Sequence, residues 1–595
     1  MGKILLASFC LLSIVAFVSC KQRESTTLSD SDKKEVVRSK FAKTYPDYSP
    51  KRYEEVVYDL IQKDSLLLPF YAENEYATVW SHDTLDTQRL QGLIHILNNS
   101  REHGLSGYFP TAQITSLTDS IDSGLFKDSL EYLYKKMADL ELLSTQTAVK
   151  YVTGMSYGFT DPKKLYKKDY DISVLMPDST FYSNLYKGLR ENPLDIVANA
   201  LPSDPVYQAL LDEYRSLEQK KQETPLNKIT GTATYKLGDK NEHISAIARR
   251  LMLTGEYTPT IDSTANDSLH NTLNKELLAA INTFRRKNSY PEEESVGKLT
   301  IDALNRPLDY YQTKLWANME RYRWKRAKSK HDKHIEVNVA SMSLVASQKN
   351  DSLPLTMRIC VGKVTNKTPL LQSDIHYLNL NPVWNVPTSI AQKEVAVLQK
   401  KDPTYIKRHN MKLYKGGKEV DITTINWKEV NPSKFSYTIR QNPGEGNSLG
   451  LIKFMFNNAF SVYLHDTPTK SAFARKDRAV SHGCVRVQKP FDLAFFCMSA
   501  TSNDVYKDRL YYSLEKPPLS NAGKKLAKEN KLKKLPDILN PEDKISLFID
   551  YFTVYKQPCD SMLYYADDTY GYDDLILDAL NPNKPKKETT KQIAK

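Results

Sequence analysis

Residues 478–487, RAVSHGCVRV, set Cys484 beside Gly483 and His482 in a chain that has only six cysteines. A cysteine attacks a carbonyl as its thiolate, and at an ordinary pKa of about 8.5 only a few per cent is ionised at neutral pH. Nucleophilic work therefore needs a base. Two histidines are near along the chain, His482 two residues before the cysteine and His465, in SVYLHDTPTK, nineteen before it. His482 is too close in sequence to aim easily at the sulfur. A strand ending at His465, a connecting loop and a return at Cys484 would instead bring both side chains to adjacent strand ends. Residue types alone leave Cys484 open as a nucleophile, half of a disulfide, or a small apolar core residue. His465 reads equally as a satisfied strand-end histidine, Arg486 as one half of an ion pair, and Trp384 and Tyr463 as core aromatics.

The elements that must position these residues follow from length and periodicity. A chain of 595 residues exceeds what one core organises, and two to four domains are expected. With 40% hydrophobic, 26% charged and 10% aromatic residues the composition is that of a folded protein. The net charge of +12 is spread among interspersed acidic and basic residues. No nucleic-acid motif accompanies it, and a basic surface suits an anionic polymer or a membrane face.

The first twenty residues, MGKILLASFCLLSIVAFVSC, place Lys3 before an apolar run and a small residue before Cys20. That is an export signal, with an apolar run short of the ~20 residues that span a bilayer as a helix. The chain has no CxxC pair, so neither a zinc ribbon nor a thioredoxin-like motif is supported, and the remaining cysteines, Cys360, Cys497 and Cys559, are too few for a disulfide framework.

Apolar residues at three- and four-residue spacing predict a helical scaffold over 21–227, with Asp83 capping one helix and Gly104 stopping it. Residues 228–306 predict a bundle of three short helices, with Ile244, Ile247 and Leu251, then Leu277, Ile281 and Phe284, then Thr300 to Leu304 facing inward. A linker helix is expected over 307–332. From 333 to 512 the period changes to two and the block reads as mainly β, with a helical, basic insertion lying over the sheet at about 388–440. An extension with one late strand, ISLFIDYFTVY, occupies 513–580, and 581–595 is a basic disordered tail. The fold class is thus multidomain α+β.

YLHDTPTKSAFARKDRAVSHGCVRV resembles the signature of the YkuD-type L,D-transpeptidases: a histidine, a gap of a dozen or more residues, then Ser/Thr-His-Gly-Cys with an arginine two residues on. LNPVWNVPTSIAQKE and RQNPGEGNSLGLIKFMFNN resemble the large periplasmic subgroup typified by YcbB. IARRL, INTFRRKNS and VGKLTIDALN resemble peptidoglycan-binding modules of the three-helix type, and FVSC resembles a bacterial lipobox, which implies lipidation of Cys20. The likeness is good over about 321–500 and thinner before residue 226.

The resemblance implies that Cys484 is the nucleophile and His465 the proton acceptor and donor, with the Asp466 backbone carbonyl orienting the imidazole so that the Asp466 side chain matters little. Gly483 is expected to let the chain approach the substrate closely in a backbone conformation that other residues resist. The amides of Gly483 and Cys484 would contribute to an oxyanion hole, with Tyr463 as a third donor. Arg486 would hold a substrate carboxylate, Ser481 and His482 would shape the substrate loop, and Trp384 would wall the donor-stem pocket.

The implied reaction is transfer of a peptidoglycan tetrapeptide stem through a cysteine acyl-enzyme, with loss of the terminal D-alanine and formation of a three-to-three crosslink. No metal or cofactor is implied, and sensitivity to carbapenems is. The implied partners are donor and acceptor stems, D,D-carboxypeptidases that trim pentapeptides, and glycan-synthesising enzymes, with a periplasmic lipoprotein on a membrane of a Gram-negative-type envelope as the setting. An L,D-carboxypeptidase, a non-catalytic peptidoglycan-binding lipoprotein and a cysteine peptidase of another fold are the alternatives.

Overall fold

The computed structural model describes residues 39–81, 84–223, 227–231, 233–259, 271–326, 331–500, 503–558 and 560–581. The expected signal with Cys20, the cap at Asp83, Cys559 and nearly all of the basic tail lie outside them. The described residues 39–48 and 49–581 belong to two separate units. In the first, the short helix Lys40–Thr44 is capped by the Ser39 hydroxyl.

The second unit opens with helices that include α1 (Pro50–Ile61), α2 (Thr87–Asn99), α3 (Thr111–Asp122) and the long α4 (Leu130–Tyr157). Asp86 caps α2 by accepting the Arg89 N–H at 2.9 Å, the role expected three residues earlier. The helix runs into a 3-10 turn that stops at Gly104, whose φ of +78° suits glycine. Helix α4 packs on α1 and α3 and carries Glu141 fully buried. Its carboxylate accepts from the Val79 and Trp80 amides at 2.6 and 2.9 Å, the Ser81 hydroxyl at 3.0 Å and the Tyr71 hydroxyl at 2.8 Å. Burial raises the Glu141 carboxyl and these donors oppose the rise. Glu141→Ala leaves the buried Val79 and Trp80 amides without an acceptor, and we expect it to destabilise the protein by about 3 kcal/mol in a denaturant titration. A midpoint equal to wild type would contradict this.

After α5 (Pro205–Glu223) come α6 (Glu242–Thr254), α7 (Lys275–Lys287) and α8 (Lys298–Leu304), which share one core of the residues expected from the sequence. The basic pair of INTFRRKNS divides. Arg285 is 1% exposed and donates to the Thr300 hydroxyl at 3.0 Å and the Glu293 carbonyl at 2.9 Å, while Arg286 pairs at the surface with Glu292.

The expected linker, α9 (Leu308–Arg323), is a buried hub rather than a spacer. Its Glu320 accepts the Phe159 and Thr160 amides at 2.7 Å, its Arg323 donates to the His103 carbonyl at 2.7 Å, and its Arg321 reaches Asp573 at 2.6 Å.

The β block contains β1 (Lys333–Asn338), β2 (Ser343–Gln348), β3 (Leu355–Gly362), β4 (Leu370–Leu380), β5 (Trp384–Val386), β6 (Met411–Lys415), β7 (Lys418–Val420), β8 (Thr438–Gln441), β9 (Ile452–Phe456), β10 (Leu464–His465), β11 (Val485–Val487) and β12 (Ile545–Asp550). The main sheet runs β4, β9, β10, β11, β3, β2, β1, β12, and β12 pairs again with β4, so the sheet closes on itself. Strand β12 lies parallel to β1, Leu547 opposite Ile335, and is buried on both faces. A catalytic block ending at 512 would therefore lack a strand that its sheet requires. The expected single late strand also divides, with Val554–Lys556 leaving the sheet to pair with Leu563–Tyr565. The insertion holds helices and a π turn over 388–408, and to these the structure adds a four-stranded sheet, β7, β6, β8, β5, so that MKLYK forms a strand.

Candidate active site

Strand pairing decides which side chains meet. Strands β10 and β11 are parallel, with Leu464 opposite Val485 and His465 opposite Arg486. The antiparallel neighbours set Lys453 of β9 opposite His465 and Cys360 of β3 opposite Arg486. Paired residues share a face and alternate residues share it too. Lys453, His465 and Arg486 thus form one row on a single face, and Tyr463 and Cys484 stand one step along it. Leu464 and Val485 point the other way into the core, 0% and 1% exposed, which fixes the register.

The backbone N–H and the hydroxyl of Tyr463 both favour the thiolate of Cys484. Trp384, at the start of β5, favours the ionised form of the same hydroxyl, opposing the effect of burial. The Lys453 ammonium lies 3.9 Å from the Tyr463 ring centroid. Burial raises the Cys484 thiol above its ordinary value. Tyr463, Lys453 and Arg486 all pull it down. Tyr463→Phe removes one group that favours the thiolate, and we expect the pH midpoint for iodoacetamide alkylation of Cys484 to rise by about one unit. An unchanged midpoint would show that the hydroxyl does not stabilise the thiolate.

The His465 ring is buried, and its Nδ1–H donates to the Asp466 carbonyl at 2.5 Å. That leaves Nε2 as the basic nitrogen. Burial, then the charge of Arg486, pushes His465 down to about 3, with Lys453 acting in the same direction and the Asp466 carbonyl against it. The imidazole is therefore neutral across the physiological range.

The Asp466 carbonyl stands where it was expected, but the side chain is far from idle. It accepts the Leu451 amide at 2.9 Å and the Thr467 amide at 2.7 Å, pairs with Lys470, and lies so close to Gly450 that a Cβ there would meet its Oδ2 at 2.4 Å. It holds the turn at 450–451 against the strand that carries His465.

The Ser481–Cys484 turn departs from expectation in two ways. Ser481 faces inward, donating to the Cys484 carbonyl at 2.6 Å and accepting the Gly483 amide at 3.1 Å, so it offers nothing to a substrate. For the same reason the Gly483 amide is occupied and is not an oxyanion donor. Glycine is required at 483 by a φ of +123°, since a Cβ there would find ordinary contacts of 3.6 and 3.7 Å. His482 points away from the sulfur and binds Glu394 of the insertion at 2.5 Å. Arg486 Nε is buried without a partner among the described residues. Cys360 and Cys497 are free and buried, and Cys484 is free and partly exposed.

Lys453 was missed because a single lysine in LIKFMF reads as the solvent side of a strand. Its alternation with the buried Ile452 and Phe454 places it on the same face as His465, which is the signal that could have found it.

Residues 332–505 match the family model described as the L,D-transpeptidase catalytic domain, YkuD, and residues 65–213 match one described as a scaffold domain. Over 161 residues the chain is 38% identical to a Haemophilus influenzae protein named "Putative L,D-transpeptidase", a match covering 27% of this chain and 32% of that protein. The chain thus spans about a third of the length of that curated relative. Among solved structures, an L,D-transpeptidase from Stackebrandtia nassauensis is 16% identical with a TM-score of 0.20, over 54% of this chain and 98% of that one. Another, from Xylanimonas cellulosilytica, is 10% identical with a TM-score of 0.15, over 55% and 100%. Residues 332–505 are a YkuD-type L,D-transpeptidase catalytic domain, and the chain carries a separate scaffold domain beside it.

Proposed function

We propose that the protein is a peptidoglycan L,D-transpeptidase that works through an acyl-enzyme on Cys484. The observation that carries this reading is the environment of one sulfur, whose thiolate is favoured by Tyr463 and two cations and which shares a sheet face with an imidazole anchored through Nδ1. The thiol sulfur attacks the carbonyl of the third residue of a donor tetrapeptide and passes its proton to Nε2 of His465 as the S–C bond forms. The Cys484 amide and the Tyr463 hydroxyl then stabilise the oxyanion. Collapse breaks the C–N bond to D-alanine, whose nitrogen takes the proton from His465. A side-chain amine of an acceptor stem attacks the thioester, its proton leaves through His465 to the sulfur, and a three-to-three crosslink results.

Arg486, whose Nε lacks a partner, is assigned to a stem carboxylate. That carboxylate would offset the positive field that depresses His465, so the base strengthens when substrate binds. Water as the acceptor would make the enzyme an L,D-carboxypeptidase. A carbapenem carbonyl is expected to acylate the same sulfur. We further assign lipidation to Cys20, a periplasmic membrane surface as the site of action, and wall binding to the three-helix module.

The test is mass analysis of the products from a disaccharide-tetrapeptide. Crosslinked dimer with free D-alanine supports transpeptidation, and tripeptide alone supports the carboxypeptidase. Unchanged substrate with folded protein leaves a wall-binding lipoprotein as the better account.

A further inference from the structure

We infer that Thr368, held by Tyr570 of the C-terminal segment, is a positioning residue that aims the Cys484 amide at the oxyanion; the inference rests on the acyl-transfer reading above. A peptide unit is planar and trans, so its C=O and N–H point in opposite directions. Whatever fixes the Gly483 carbonyl therefore fixes the direction of the Cys484 N–H. The Thr368 hydroxyl donates to that carbonyl at 2.8 Å. The Cys484 amide has no acceptor among the described residues.

Thr368 is itself tightly held. Its hydroxyl accepts the Gly362 amide at 2.8 Å, its own amide donates to the Tyr570 hydroxyl at 3.1 Å, and that hydroxyl donates to the Gly362 carbonyl at 2.6 Å. The turn from 362 to 368 is closed so tightly that a Cβ on Gly362 would lie 2.1 Å from the Asn366 carbonyl oxygen. Lys363 donates its amide to the Ser481 carbonyl at 3.0 Å, which sets this turn directly against the nucleophile turn. Thr368 is 0% and Tyr570 5% exposed, so the contacts are made away from water.

Tyr570 is anchored from behind. Its amide donates to the Tyr551 hydroxyl at 2.9 Å, and Tyr551 donates to Asp568 at 2.7 Å. Asp568 accepts the amides of Tyr572 and Asp573 at 2.9 Å, where α10 (Tyr572–Leu580) begins. Asp573 in turn bonds Arg321 of the buried helix α9. The segment DDTYGYDD thus reaches the nucleophile from residues lying past the matched catalytic region, which ends at 505.

The test separates positioning from general damage by using two reactions of the same sulfur. Acylation by a tetrapeptide develops an oxyanion, whereas alkylation by iodoacetamide, a displacement at saturated carbon, does not. We expect Thr368→Val to lower kcat for D-alanine release by 10- to 100-fold with KM and alkylation rate within twofold of wild type. Thr368→Ser should restore most of kcat. Tyr570→Phe, which keeps the ring and removes one hydroxyl, should lower kcat 3- to 10-fold and serves if Thr368→Val does not fold. Wild-type kcat in both variants, or equal losses of acylation and alkylation, would overturn the inference. A wild-type protein that alkylates but never acylates would instead overturn the acyl-transfer reading beneath it.

Discussion

Cys484→Ala should abolish acyl transfer, with D-alanine release reduced by at least about 10⁴-fold and no covalent adduct from stem peptide or carbapenem. The loss should be this large because the second thiol on that sheet face is closed to substrate. Cys360, opposite Arg486, is fully buried, and the neighbouring row holds a lysine, a histidine and an arginine. The fold should survive. Cys484 is partly exposed and the change removes a single sulfur, so the unfolding midpoint should move by no more than about 1 kcal/mol equivalent. Intact-mass measurement of the adduct together with a denaturant titration checks both. A Cys484→Ala protein that still acquires an acyl group would place the nucleophile elsewhere.

His465→Gln should lower acylation by about 10²- to 10⁴-fold, the usual contribution of a positioned general base. A glutamine amide can still donate to the Asp466 carbonyl, so orientation of the neighbouring chain is retained while the proton acceptor is lost. The pH dependence has a definite sign. Because burial and the cations lower His465 to about 3, the imidazole stays unprotonated from acid to neutral pH, and it imposes no loss of activity between about pH 5 and 7. The thiol, raised by burial, does titrate, so the wild-type alkylation rate should climb as pH rises through and beyond the ordinary thiol value. Alkylation rates measured from pH 5 to 10 for both proteins test this. A flat, fast wild-type profile at pH 5 to 7 would reveal a resting thiolate–imidazolium pair and contradict the neutral assignment.

The meeting of Cys484 and His465 on one sheet face could be read from the sequence because their spacing fits two strands and one connection. The scaffold and three-helix cores were legible for a related reason. Helical periodicity is a local signal, and Ile244, Ile247, Leu251, Leu277, Ile281 and Phe284 carry it plainly. Closure of the sheet was not legible. Strand β12 pairs with β1 across more than two hundred residues, and nothing local in ISLFID says which strand it joins. The insertion's strands, three to five residues each, are too short to show alternation against a lysine-rich background. Lys453 was hidden by its residue type and Tyr570 by its distance along the chain. The mistaken role for the Gly483 amide had a further cause, since a hydroxyl two residues back, on Ser481, takes that donor, and only coordinates reveal it.

The most direct test of the central claim is to locate the acyl group. The chain from residue 39 onward would be incubated with a disaccharide-tetrapeptide, quenched in acid to preserve a thioester, digested with trypsin and analysed by mass spectrometry. The account predicts that the peptide covering 479–486, AVSHGCVR, carries the mass of the stem minus D-alanine, and that the adduct disappears when an amine acceptor is added and crosslinked product accumulates. Unmodified AVSHGCVR, recovered while D-alanine is being released, would contradict it.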